Sequence, residues 1–187
     1  MTDDALILAA VARANHIGWT RETLRRALED QGETAEMLDN AFPRGVAGAV
    51  EAWCALADRR MEEEAAAEDM TALRTPQRIR RVIELRLRAA EPDREALRAA
   101  TALLALPWNI PVALRCTANT ASSIWYAAGD SSADFSWYTR RATVAAIYTA
   151  TLAYWMRPQA PEMEDVLEFL DRRLSELPKP KPKQEHA

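Results

Sequence analysis

Apolar residues recur along most of the chain at steps of three, four and seven, the spacing of helices that each bury one face. The first run begins near Asp3, turns Leu6, Ile7, Ala10 and Ala14 inward and stops at Gly18. Gly18-Trp19-Thr20 reads as a stop followed by a cap, with Thr20 opening a second helix that starts at Thr23 and Leu24 and ends at Gly32. Thr34 begins a short third helix through Met37 and Leu38, closed by Phe42-Pro43. After Gly45, the series Val46, Val50, Trp53, Cys54, Ala57 and Met61 predicts one long helix that runs out in the acidic stretch Glu62 to Asp69, a solvated helical end. Thr75-Pro76 is a cap followed by a first-turn proline. Behind it, Ile79, Val82, Ile83, Leu85 and Leu87 alternate with Arg78, Arg80, Arg81, Arg86 and Arg88. Those arginines read as an exposed face, free to meet solvent, a membrane or an acidic partner.

The second half is more apolar. Leu97, Leu103, Leu104 and Leu106 predict a helix stopped by Pro107, and Trp108-Asn109-Ile110-Pro111 is a tight break that restarts a helix through Val112, Leu114 and Cys116 to Ile124 and Trp125. From Asp130 to Met156 an Asp/Ser-rich turn leads into an aromatic and basic cluster and then a helix rich in small residues. Asp134 is placed to cap it, where a carboxylate meets unpaired N–H groups and the positive end of the dipole. Phe135, Tyr138, Ala142, Ala145, Tyr148, Leu152 and Trp155 are predicted to share one face, with Trp137 and Arg141 on another side toward solvent. After a proline-bounded link, Met163, Val166, Leu167, Leu170, Leu174 and Leu177 mark one face of a last helix.

The expected fold class is therefore all-α. Five glycines and ten prolines act mostly as punctuation, while Ala, Leu, Arg and Glu dominate elsewhere. A length of 187 residues with 49% hydrophobic and 28% charged side chains suits a soluble globular protein of one domain, or of a small domain with an appendage. The least polar run, residues 142 to 156, includes three threonines and is shorter than the ~20 apolar residues a spanning helix requires. Neither a signal peptide nor a transit peptide is indicated. Cys54 and Cys116, far apart in sequence, read as two buried thiols in a reducing compartment. Every lysine lies in Pro178 to Ala187, an alternating Pro/Lys segment expected to be extended or disordered.

Three short helices with glycine stops form a helix-turn-helix-like head, and its closing Phe42-Pro43-Arg44 resembles the end of the DNA-reading helix in TetR-family repressors. Charge argues against that use here. Between Asp3 and Phe42 the net charge is −4, and the third helix offers Glu33, Glu36 and Asp39 with no basic residue, where phosphate contacts need cations. The run GDSSADFSWYTRRATVAAIY, residues 129 to 148, resembles the signature of the ubiquinone (coenzyme Q) biosynthesis accessory family, the ninth Coq protein, in a bacterial form. Ile124-Trp125, Gly18-Trp19-Thr20, Phe42-Pro43-Arg44-Gly45 and Phe169-Leu170-Asp171-Arg172-Arg173 fall in matching order.

That resemblance implies a TetR-like helical fold: residues 1–45 as a head that does not bind DNA, 46–177 as a lipid-binding and dimerisation body, and 178–187 as the tail. It implies a non-catalytic protein that binds an isoprenoid quinone lipid and presents it to the di-iron demethoxyubiquinone hydroxylase. It also implies a homodimer through the last two helices, where Ala142, Ala145, Ala146, Ala150 and Ala153 permit close approach. Asp134, Trp137, Tyr138 and Arg141 carry over as the partner-binding patch. Periodicity alone favours a filled core in the middle helices. The resemblance instead implies a pocket there, with Val82, Leu85, Leu103, Leu106, Trp108, Ile110, Leu114 and Trp125 as lipid-binding candidates. Eukaryotic members continue into an amphipathic helix that docks on membranes, and the residues after Leu177 do not match it. The expected location is the cytoplasm, with peripheral contact at the inner face of the bacterial membrane.

Catalytic chemistry finds no foothold. His16 and His186 are the only histidines, and there is no metal-ligand spacing, phosphate loop or nucleophile elbow. Asp130 and Asp134 suit capping and turn bonds better than paired acid–base work. No cofactor is expected beyond a bound isoprenoid lipid or quinone, and no metal. The alternative from another class is a TetR-type ligand-responsive transcriptional regulator on the same scaffold, separable by a salt-dependent DNA shift assay.

Overall fold

A computed structural model describes residues 4–129, 136–159 and 161–176. Among these, nine α-helices follow one another with three short 3-10 turns and no strand, so the all-α expectation holds. They are α1 (Asp4–Ile17), α2 (Arg21–Asp30), α3 (Leu38–Ala41), α4 (Gly45–Ala67), α5 (Thr75–Ala89), α6 (Arg94–Leu104), α7 (Ile110–Ala127), α8 (Ser136–Trp155) and α9 (Met163–Ser175).

Local chemistry sets most of the boundaries. Gly18 takes φ of 69°, where a side chain would be strained, and ends α1. The Thr20 hydroxyl then accepts from the Thr23 N–H at 3.1 Å and caps α2. At α5 the capping is shifted by one residue from the expected Thr75-Pro76. Arg74 is the N-cap, and its N–H donates to Gln77 Oε1 at 2.9 Å.

Two apolar clusters fill the interior. One joins α1, α2 and Phe42 to the first half of α4 and to Ala96 and Ala100 of α6. Here Trp19 packs on Trp53 with ring centres 5.6 Å apart, and its indole N–H donates to the Ala96 carbonyl at 2.9 Å. The other joins the far half of α4, α5, the far half of α7, α8 and α9 through Met61, Ile83, Leu87, Ile124, Trp155 and Leu170, all but closed to solvent. Helix α4 runs through both, so the divide expected after residue 45 lies within continuous packing.

The third helix of the head is shorter than its pattern suggested. It breaks into a 3-10 turn over Ala35–Met37 and one turn of α3, with Glu33, Glu36 and Asp39 exposed. At 1.5 Å per residue, α3 extends only about 6 Å, little to lay into a major groove.

Helix α8 turns a different face inward than expected. Val144, Ile147, Tyr148, Thr151 and Trp155 are buried, whereas Tyr138 is 75% exposed and Ala142 is exposed. With about 100° per residue, Tyr138 lies about a quarter turn and Ala142 more than a third of a turn from the stripe that Tyr148 and Trp155 define. Thr151 closes its hydroxyl on the Ile147 carbonyl at 2.8 Å, which lets a threonine sit in the core.

Candidate partner and lipid surfaces

Helices α7 and α8 pack on each other, with Tyr126 near the end of α7 and Tyr138 near the start of α8 both more than 70% exposed. Buried Trp125 lies behind them, and the Arg140 guanidinium sits 6.0 Å from the centre of its ring. Arg141 is half-buried in the same turn. Of the four expected partner-binding residues, Tyr138 and Arg141 are thus brought together at this corner. Asp134, with its expected capping role, lies outside the described residues, as does the Trp137 side chain.

The eight lipid-binding candidates do not surround one hollow. Val82 is fully buried and Trp125 nearly so, both in the second core cluster, and Leu85 packs against it. Leu103 packs partly against the first cluster, and Leu106 is half-buried. Trp108, Ile110 and Leu114 point the other way, exposed by 73%, 47% and 64%. Among the described residues these candidates therefore divide between the second cluster, where α5, α7, α8 and α9 pack on one another, and the bend between α6 and α7. The cause is that bend. The segments Glu91–Leu104 and Pro107–Ala127 meet at 96°, so the first turn of α7 leaves the interior that its later turns enter.

The arginines of α5 also differ from expectation. Arg81 pairs with Glu68 at 2.6 Å, Arg88 with Glu84 at 3.0 Å, and Arg80 with Glu84 and with Asp171, so acids of the same chain cover them. Arg86 is not on the surface at all. It is 8% exposed, and its Nη2 lies 3.2 Å from Asp58 Oδ1, itself on a residue only 5% exposed. Thr120 of α7 donates its hydroxyl to the same carboxylate at 3.0 Å. Periodicity missed this cluster because Asp58 and Arg86 sit on different helices. The signal was a charged residue set among apolar ones, Asp58 after Leu56-Ala57 and Arg86 between Leu85 and Leu87.

Beside this cluster, a groove of about 290 Å3 between α4 and α7 is lined by Glu51, Cys54, Asp58, Arg59, Cys116 and Asn119. Both cysteines are free, Cys54 half-buried and Cys116 buried. Hydrogen bonding to Cys116 and burial push the Cys54 thiol well up. Burial pushes Tyr148 up to about 12 and Asp58 up to about 6, against the opposing pull of Arg86. The native state thus holds the Asp58 proton more tightly than the unfolded chain does. Its contribution to stability is full below the ordinary carboxylate value of 3.8 and is lost as pH rises through about 6. We expect the stability difference between wild type and Asp58→Asn, measured by denaturant titration, to shrink steadily across that interval. A pH-independent difference would contradict it. No group of three or more metal-ligating side chains is present among the described residues.

The fold is that of TetR-type regulators. The TetR transcriptional regulator from Nitrosomonas europaea superposes with a TM-score of 0.70 over 92% of this chain and 95% of its own, at 24% identity. Residues 110–179, which span α7 to α9, match the sequence model of the COQ9 family. The ubiquinone biosynthesis protein COQ9 of rat and that of human are each 41% identical over 103 residues, 55% of this chain, and COQ9 of Drosophila melanogaster is 27% identical over 172 residues, 90% of this chain. The chain resembles the ubiquinone biosynthesis COQ9 family, as its central motif indicates. It spans about a third of the length of the mammalian relatives and about half that of the fly protein.

Proposed function

We propose that the protein is a non-catalytic accessory of ubiquinone biosynthesis that holds isoprenoid quinone intermediates and presents them to the di-iron demethoxyubiquinone hydroxylase. The observation that carries this reading is Tyr138. It stands within the COQ9-like segment and the SWYTRR motif, yet it is 75% exposed and contributes little to the core. Tyrosine and arginine are among the residue types that dominate interface energies, and Tyr126, Tyr138 and Arg141 gather at one end of the α7–α8 pair. Lipid contact belongs to the bend between α6 and α7, where Leu103, Leu106, Trp108, Ile110 and Leu114 offer apolar surface. A prenyl chain laid on such surface gains about 25 cal/mol per Å2 removed from water.

A homodimer through α8 and α9 fits the exposed small residues Ala142, Ala146 and Ala153 of α8. A DNA-binding reading is disfavoured by the one-turn α3 and the exposed acids around it.

Tyr138→Glu and Trp137→Glu are each expected to weaken association with the hydroxylase by about 2 kcal/mol or more, roughly 30-fold, with an unchanged melting curve. Undiminished co-purification of both variants removes the patch. Native mass spectrometry after gentle extraction should reveal a bound isoprenoid quinone, and a consistently lipid-free protein removes the quinone part of the reading.

A further inference from the structure

From Ala99 to Leu114 the chain carries no charged side chain, and this stretch forms the bend between α6 and α7. Three of the large apolar side chains exposed among the described residues, Trp108, Ile110 and Leu114, fall within its last seven positions. Ile110 and Leu114 are one turn apart on the same face of α7, with Trp108 just before them on the 3-10 turn Pro107–Asn109.

We infer that this bend is a wedge that seats the protein in the interfacial layer of a lipid bilayer. The inference deepens the lipid-facing reading of the bend and rests on it, but it requires neither the quinone nor the hydroxylase. What selects a bilayer over a protein partner is the treatment of the backbone. Hydrocarbon tolerates no unpaired N–H or C=O, so a bend inserted in it must satisfy its own groups. Several groups of this bend are satisfied within it. Asn109 is buried, its amide side chain donates to the Leu103 carbonyl at 2.9 Å, and its N–H donates to the Leu106 carbonyl at 2.8 Å. Ala105 N–H closes on the Thr101 carbonyl at 3.0 Å. Pro107 and Pro111 stand in the opening turns of the 3-10 segment and of α7, where they remove N–H donors that would otherwise be left unpaired.

No single helix among the described residues is long and apolar enough to cross a membrane, and the α6–α7 pair is bent by 96° at its apolar break. A tryptophan at the tip suits the headgroup level, where its indole N–H stays hydrated while its ring is buried.

The basic side chains behind the wedge are held by partners of the same chain. Arg115 pairs with Glu51 at 3.1 Å, Arg44 pairs with the same carboxylate, and Arg98 donates to the Met156 carbonyl at 2.7 Å. The wedge itself carries no charge from Ala99 to Leu114, so its own attraction to the bilayer is apolar. The wedge and the Tyr126/Tyr138 patch lie at opposite ends of α7, about 24 Å apart at 1.5 Å per residue, so substitutions at one leave the other in place.

The test is flotation of the full chain with vesicles of phosphatidylcholine alone and of phosphatidylcholine with phosphatidylglycerol, combined with quenching of tryptophan fluorescence by brominated acyl chains. The double variant Trp108→Glu/Ile110→Glu is expected to lower partition by about ten-fold or more on both vesicle types while keeping its melting curve, since both side chains are exposed. Quenching should disappear in Trp108→Phe, and wild-type flotation should be insensitive to salt. Failure of the wild type to float, equal flotation of the double variant, or quenching that survives Trp108→Phe overturns the wedge. So does flotation confined to anionic vesicles and abolished by salt, which assigns binding to the lysines of residues 178–187. Hydroxylase co-purification recorded on the same variants separates the two readings. A loss of flotation with retained co-purification supports the wedge alone, and wild-type protein that co-purifies but never floats sinks the wedge while sparing the accessory role.

Discussion

Asp58→Ala is expected to destabilise the protein by about 3–5 kcal/mol, because it strands a buried guanidinium. Arg86 lies 8% exposed between α4, α5 and α8 and cannot shed its proton. Its Nε already has no hydrogen-bond partner among the described residues, its Nη2 reaches the Cys54 carbonyl only at 3.4 Å, and Asp58 supplies its counter-charge. Removing the carboxylate also deprives the Thr120 hydroxyl of its acceptor. The reverse substitution is milder. In Arg86→Met the carboxylate of Asp58, already raised to about 6, can take up a proton and escape as a neutral acid. Its cost should therefore fall as pH is lowered, whereas that of Asp58→Ala should not. The double variant Asp58→Leu/Arg86→Met is expected to recover most of the loss, since apolar replacement of a buried pair is often neutral. Denaturant titration of the three variants at two pH values decides the matter. If Asp58→Ala costs less than about 1 kcal/mol, the pair is hydrated in solution and the cluster is not a closed one.

That pair marks where the sequence stops being legible. Helix stops were readable because they are chemical and local: the positive φ of Gly18, the Thr20 cap and the Pro107 break are written at the positions where they act. The inward faces of α1 and α9 were readable too, since Leu6, Ile7, Ala10 and Ala14, and Met163, Val166, Leu167 and Leu170, keep the helical period over a short span. Over the twenty residues of α8 the same logic slipped, and Tyr138, read as part of the shared apolar face, is the most exposed large hydrophobic side chain of the described part. Small residues caused the slip, because alanines on every side of a helix give no sharp phase to its stripe. Arg86 was hidden for another reason: its value depends on Asp58, twenty-eight positions away, and pairing across helices leaves no mark in a one-dimensional pattern. The apolar bend was visible as apolar and misread as interior. Periodicity reports which residues avoid water, and both a packed core and a bilayer satisfy that preference.

Whether the body is filled or hollow is decided by Ile124. It sits on α7 with no exposed surface, surrounded by the cluster that includes Val82, Ile83, Trp125 and Leu170. In a close-packed interior, trimming it to alanine removes both transfer energy and the contacts of its neighbours, and Ile124→Ala is expected to cost about 2–5 kcal/mol. A body that opens on a prenyl-sized channel would behave otherwise: its lining is already short of contacts, the substitution would cost about 1 kcal/mol, and lipid-like additives would stabilise the wild type as strongly as the variant. The closed packing of α5, α7, α8 and α9 predicts the opposite order. Wild type should gain nothing from a small apolar solute such as benzene, while Ile124→Ala, carrying a new dry cavity, should recover part of its loss when benzene is added. Thermal denaturation of both proteins with and without benzene reads this directly. Stabilisation of the wild type by the solute would show that its interior has room, and would move the lipid contact from the α6–α7 bend back inside the helical body.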